Sequence, residues 1–266
     1  MQTRKIIKGK HKVYPTEKEM NDYKFEVCAN GVASCIAAQE GGADRVELCA
    51  GIPEGGTTPS VGCIRLARKK LDIGLNVIIR SRGGDFLYTE DDIREMIEDI
   101  HVAKGEGADG LVFGCLNAEG NIDLSSMEKL MQAAGDTPVT FHRAFDCCKD
   151  PFKALHQIEE LGCVRILTSG QQPTAEKGIS LLKQLQQEAN LIIMAGCGVN
   201  ENNIARIAHE TGVREFHFSA REAFPSLMQY HNPDVYMGNP DAEEDTIMVT
   251  SSAKVKATIE KAFSFP

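Results

Sequence analysis

From Lys24 onward, short apolar runs alternate with longer amphipathic stretches, and the alternation repeats to the end of the chain. The runs are rich in Val, Ile, Leu and Phe and read as buried parallel strands; apolar positions three and four apart between them read as helix faces packed on those strands. The pattern predicts strands over 25–29, 46–49, 75–80, 111–114, 139–142, 164–168, 191–195 and 215–219. Helices are predicted over 32–40, 61–70, 90–104, 124–134, 151–161, 175–188 and 201–209, with a last helix over 253–262 after a longer irregular stretch. Gly41-Gly42, Gly107, Gly162 and Gly212 follow helix ends, where the chain turns into the next strand.

About eight βα units in roughly 250 residues is the content of a (β/α)8 TIM barrel, an α/β fold in one domain. A doubly wound open sheet is the alternative, but no G-x-G-x-x-G follows the first strand. Residues 24–266 are assigned to the barrel. Residues 1–23, with Arg4, Lys5, Lys8, Lys10, Lys12 and few apolar positions, are expected to form an N-terminal arm outside the core.

Composition narrows the function classes. The chain has 266 residues, 42% hydrophobic and 25% charged, and its net charge of −9 argues against nucleic-acid binding, which needs a basic face. No run approaches the ~18 apolar residues of a membrane span, and no apolar signal-peptide core is present, so the expected compartment is the cytoplasm. Nine cysteines, an odd number without a C-x-x-C pair, form neither a disulfide framework nor a zinc ribbon.

Chemistry collects at the carboxyl ends of the predicted strands, where parallel α/β sheets bind ligands. The first two strands echo each other as Glu26-Val27-Cys28 and Glu47-Leu48-Cys49. With a side-chain period of two, each Glu shares a face with its Cys, and a glutamate avoids the apolar helix-facing side, so all four are expected to point into the lumen. The cysteines then approach each other, either as simple packing or as a metal pair. Two thiolates without histidine suit Cu(I) better than zinc.

The third strand runs into Arg80-Ser81-Arg82-Gly83-Gly84-Asp85, which reads as a fork for a carboxylate or phosphate, or as arginines engaged with Glu26 and Glu47 inside the barrel. His142, Arg143 and Asp146 end the fifth strand; His142, with an unperturbed pKa near neutrality, is the leading group for proton transfer, with Asp85, Glu26 and Glu47 as further acid/base candidates. Ser169 and Gly170 follow the sixth strand, Gly196 and Gly198 the seventh, and His217, Ser219 and Arg221 end the eighth. The last two groups, with a helix starting at Asn200, form the usual barrel position for a phosphate.

The segments GGADRVELC at 41–49, EGGTTPS at 54–60, RGGDFLY at 82–88, PVTFHRAFD at 138–146, ILTSGQ at 166–171 and GVREFHFSAR at 212–221 together resemble the CutC family, named for copper homeostasis. The resemblance implies a cytoplasmic TIM barrel that forms a homodimer or higher homo-oligomer, with a copper role attached to Cys28 and Cys49. The family's Pro-Gly-Gly-Gly turn after strand seven reads Ala195-Gly196-Cys197-Gly198 here, which adds a thiol near the mouth. Two functions are therefore carried forward. One is a Cu(I)-binding homeostasis protein; the other is a lyase, isomerase or hydrolase acting on a small anionic or phosphorylated metabolite.

Overall fold

The computed structural model describes residues 23–230, 232, 234, 235 and 246–264. The expected arm, apart from Tyr23, lies outside these residues. Eight parallel strands close into a barrel in chain order: β1 (Lys24–Ala29), β2 (Arg45–Leu48), β3 (Gly74–Ile78), β4 (Gly110–Phe113), β5 (Val139–Phe141), β6 (Arg165–Thr168), β7 (Ile192–Gly196) and β8 (Glu215–Phe218). The connecting helices are α1 (Val32–Glu40), α2 (Val61–Lys70), α3 (Glu90–Gly105), α4 (Leu124–Ala134), α5 (Pro151–Glu160), α6 (Ile179–Glu188) and α7 (Ile204–Thr211), and α8 (Ser252–Ala262) ends the fold. Side-chain caps from Ser60, Thr89, Asp123, Asp150 and Ser251 set five helix starts by accepting backbone N–H groups.

Every strand is buried on both faces, which explains the continuous apolar runs. The outward set, including Phe25, Val27, Leu48, Val77, Phe113, Phe141, Ile166 and Phe216, forms the main core against the helices. The β1–β8 seam pairs Lys24 with Glu215 and Glu26 with His217 in parallel register. Outside that seam Tyr23, Phe25, Phe216 and Phe263 pack ring on ring at 5.2–6.4 Å, so α8 covers the junction.

The inward set is polar where barrel interiors are usually branched and aliphatic. Arg45 reaches from β2 past β1 to Glu215 and donates to Glu26 Oε2 at 2.6 Å. Arg165 donates to Glu215 Oε2 at 2.6 Å and Thr140 Oγ1 at 3.1 Å, while Asn76 donates to Glu26 Oε2 at 2.7 Å. The lumen cation facing Glu26 is thus Arg45, and the alternative that placed Arg80 there is corrected.

Two other departures follow from turn geometry. The predicted helix over 175–188 begins at Ile179, because Gly170 and Gly178 cross so closely that a Cβ at Gly178 would lie 1.8 Å from Ser169 O. Beyond β8, Arg221–Pro225 (β9) pairs antiparallel with Thr246–Thr250 (β10), a ribbon in the stretch expected to be irregular.

Candidate metal centre at the barrel mouth

Cys28 at the end of β1 and Cys49 just beyond β2 bring their Sγ atoms to 3.5 Å. The register dictates this: Cys28 pairs with Glu47 and Ala29 with Leu48, so the inward side chains of neighbouring strands stack. Ile78, Val112 and Ile52 pack around the pair and keep its surroundings apolar. Cys49 Sγ also lies 3.4 Å from the Ala29 carbonyl oxygen.

His217 and Glu47 complete the group. His217 Nε2 is 2.9 Å from Glu47 Oε2 and 3.9 Å from Glu26 Oε1. Ligand atoms of Cys28, Glu47 and His217 all fall within 4.8 Å of one another. Arg221 lies on the other side, with Nη2 3.6 Å from Cys28 Sγ.

The charges of these groups depend on each other. A hydrogen bond from Cys49 holds the Cys28 thiol well below its usual range against the opposing cost of burial, with His217 and Arg221 helping, so Cys28 is the thiolate. The same contact and burial push Cys49 up, leaving it the proton donor. Burial pushes Glu47 up to about 7. Burial alone would lower His217, but Glu47 and Cys28 raise it well above its usual value, so it is held as an imidazolium. Two sulfurs in an apolar setting, with an imidazolium–carboxylate pair beside them, are a donor set for a soft metal ion.

The other predicted residues fall around this group in distinct environments. Arg82 is taken up by its own loop, donating to Asp85 Oδ1 at 3.1 Å and Leu87 O at 2.7 Å, which makes Asp85 a loop brace. Asp146 accepts from Thr168 Oγ1 at 2.5 Å, Ser169 N at 3.0 Å, Gln171 N at 3.1 Å and Arg143 Nε at 2.7 Å, so its carboxylate is saturated. Arg143 also donates to Ser169 Oγ at 3.2 Å. His142 differs from the expectation of titration near neutrality: burial, then Arg80 and Arg143, pull it down to about 3.

Arg80 donates to Glu54 O at 2.7 Å, Gly56 O at 2.9 Å and Gly84 O at 2.7 Å, stapling two loops over the mouth. At the expected phosphate turn, α7 starts at Ile204 rather than Asn200. The Asn200 N–H donates to Asn203 Oδ1 at 2.9 Å and the Asn202 N–H to Asn200 Oδ1 at 2.9 Å, which leaves neither free for an anion. Gly196 lies against Leu167 and His217, and Gly198 against Thr174; Gly170 crosses Gly178, and the Ser219 carbonyl accepts from Thr250 Oγ1 at 3.2 Å. Cys197 takes φ +74° where the family pattern has glycine, and its thiol faces Pro173 O at 3.2 Å.

A profile of the CutC family matches residues 23–222. The chain belongs to the CutC family. A CutC family protein of Bacteroides thetaiotaomicron is 62% identical over 245 residues, covering 91% of this chain and 98% of that protein. One from Chromobacterium violaceum is 46% identical over 241 residues, covering 90% and 98%. Among solved structures, CutC from Streptococcus agalactiae, named there for copper homeostasis, superposes with TM-score 0.71 at 36% identity, covering 74% of this chain and 98% of its own. A thiamine phosphate pyrophosphorylase from Pyrococcus furiosus has TM-score 0.55 at 16% identity, covering 92% and 99%, and shares the fold alone.

Sequence reasoning missed Arg45, Arg165 and Glu215. Arg45 shares inward parity with Glu47 and Cys49, and that period-two signal was available. Among the described residues, no helix is long and apolar enough to cross a membrane.

Proposed function

We propose that this CutC family member binds Cu(I) through Cys28 and Cys49. The observation that carries the reading is the pair of thiol sulfurs 3.5 Å apart within an apolar shell, with a cation on each side. Thiolates select a soft ion, and charge balance selects a monovalent one. Two thiolates and Cu(I) sum to −1, which Arg221 beside Cys28 offsets, while His217 and Glu47 neutralise each other at 2.9 Å. A divalent ion in the same place would leave a net positive charge in a buried site, which is unfavourable. His217, held by Glu47 Oε2 at 2.9 Å, lies beside Cys28 and favours its thiolate, the role that outer partners have around metal ligands.

Reduced protein is expected to bind about one Cu(I) per chain against a Cu(I)-specific chelator, as a single two-thiolate site dictates. Binding should weaken on acidification as protons compete for sulfur. Changing both Cys28 and Cys49 to Ser should abolish tight binding while preserving the fold. Equal affinity in the double variant and the parent would assign the copper to the other seven cysteines; displacement of Cu(I) by equimolar Zn(II) would overturn the charge argument.

A further inference from the structure

Arg80 is a buried arginine, 3% exposed, and among the described residues no carboxylate pairs with it. Burying an uncompensated charge is costly, and backbone carbonyls offset only part of that cost. Arg82 and Arg143 are neutralised by Asp85 and Asp146, and the lumen arginines Arg45 and Arg165 by Glu26 and Glu215. Among the described residues the Arg80 Nε–H has no acceptor.

The same corner holds two more unmatched groups. His142, 4% exposed, uses Nδ1 to accept the Ala144 N–H at 3.3 Å, which puts its own proton on Nε2. Among the described residues that Nε2–H has no acceptor either, and the Tyr88 hydroxyl, which Arg80 influences from beside it, has no acceptor for its own proton. His142 projects inward, on the same face of its strand as Thr140, which meets Arg165 in the lumen. Neutral His142 is a hydrogen-bond donor without a charge of its own, so the corner carries one positive charge.

Phe86 is what the two side chains meet instead. Its ring centroid lies 5.0 Å from the Arg80 guanidinium carbon and 5.0 Å from the His142 ring centroid. An aromatic face partly compensates a cation and accepts an N–H weakly. Phe86 is half-buried, on a loop held by its carbonyl accepting from Leu116 N at 2.8 Å.

We propose that Arg80 and His142 form a binding site for a small monocarboxylate at the barrel mouth, with Phe86 as a plug that the carboxylate displaces. One carboxylate charge balances the one guanidinium, and its two oxygens accept from Arg80 Nε and His142 Nε2. A phosphate dianion would leave one negative charge without a partner. This site is independent of the copper reading, since neither cysteine contributes to it.

The test uses reduced, metal-free protein with 15N-labelled histidine, titrated with sodium acetate and, at matched ionic strength, with inorganic phosphate. His142→Gln assigns the His142 resonance. Acetate is expected to move the His142 Nε2 signal saturably, and phosphate to leave it in place. Phe86→Ala should tighten acetate binding at least tenfold by removing the plug, and Arg80→Lys, which keeps the charge but loses the Nε–H, should weaken it about tenfold. Backbone amide spectra check that each variant is folded. An unmoved His142 signal in both parent and Phe86→Ala, an unchanged affinity in folded Arg80→Lys, or equal response to phosphate would each overturn the proposal.

Discussion

Burial, together with the guanidinium groups of Arg80 and Arg143, keeps His142 neutral with its pKa pulled down to about 3. In the unfolded chain the same imidazole returns to about 6.5. Between those values the unfolded state binds a proton that the folded state refuses, so this residue's effect on stability worsens as pH falls, by up to about 1.4 kcal/mol per pH unit. His217 has the opposite sign: its raised pKa gives stability that is complete below the unfolded value and is lost as pH rises through the folded one. Denaturant unfolding of the parent and His142→Gln at about pH 7 and about pH 4.5 isolates the first effect. The parent should lose more stability on acidification than the variant; equal losses would show that His142 takes up its proton without resistance from the fold. Its type and its place at a strand end are visible in the sequence. Its charge state is not, because that is set first by burial and then by Arg80, which arrives from the end of the third strand.

At the scale of elements, the alternation of strand and helix was legible because both strand faces are buried and each helix carries one apolar stripe. Helices 32–40, 61–70 and 124–134 run as the periodicity predicts. The starts of α6 and α7 come three to four residues later than predicted. In α6 the cause is the crossing of Gly170 and Gly178, a contact between chain segments that periodicity does not encode. The β9–β10 ribbon stayed hidden because Arg221–Pro225 and Thr246–Thr250 are half exposed and widely separated, so neither has the signature of a buried strand. The crossing makes a prediction. A methyl group at Gly178 would meet Ser169 O at 1.8 Å and Gly170 Cα at 2.9 Å, both backbone atoms that move only with β6. Gly178→Ala should lower stability by about 2–3 kcal/mol, within the range for overpacking, and loosen the Ser169–Gln171 turn that Asp146 gathers. Thermal melts and amide exchange at Ser169 and Gln171 check both parts, and an unchanged melting temperature would mean that the crossing yields.

For the whole molecule, the Glu26–Arg45–Glu215–Arg165 chain joins β1, β2, β6 and β8 through the lumen. Glu215 is buried and receives both arginines, so it ties non-adjacent strands across the closed barrel, where ladder hydrogen bonds join only neighbours. Desolvating four charges costs nearly what their attraction returns, so the network specifies the barrel's register and adds little net stability. The two properties separate on mutation. Glu215→Gln removes the shared anion and leaves two buried guanidinium groups facing one remaining carboxylate, Glu26; the expected cost is about 3–5 kcal/mol, as for breaking other buried ion pairs. Replacing Arg45, Arg165 and Glu215 together with Met, Met and Leu leaves no unpaired arginine in the lumen and leaves Glu26 with its Asn76 hydrogen bond at 2.7 Å and the raised-pKa His217, at 3.9 Å, as its remaining cation. That triple variant should be more stable than the single one despite carrying three changes. Chemical denaturation of the three proteins decides it. A triple variant less stable than Glu215→Gln would show that the ion network itself contributes net stability, and that the charge of the lumen, more than its shape, holds the barrel closed.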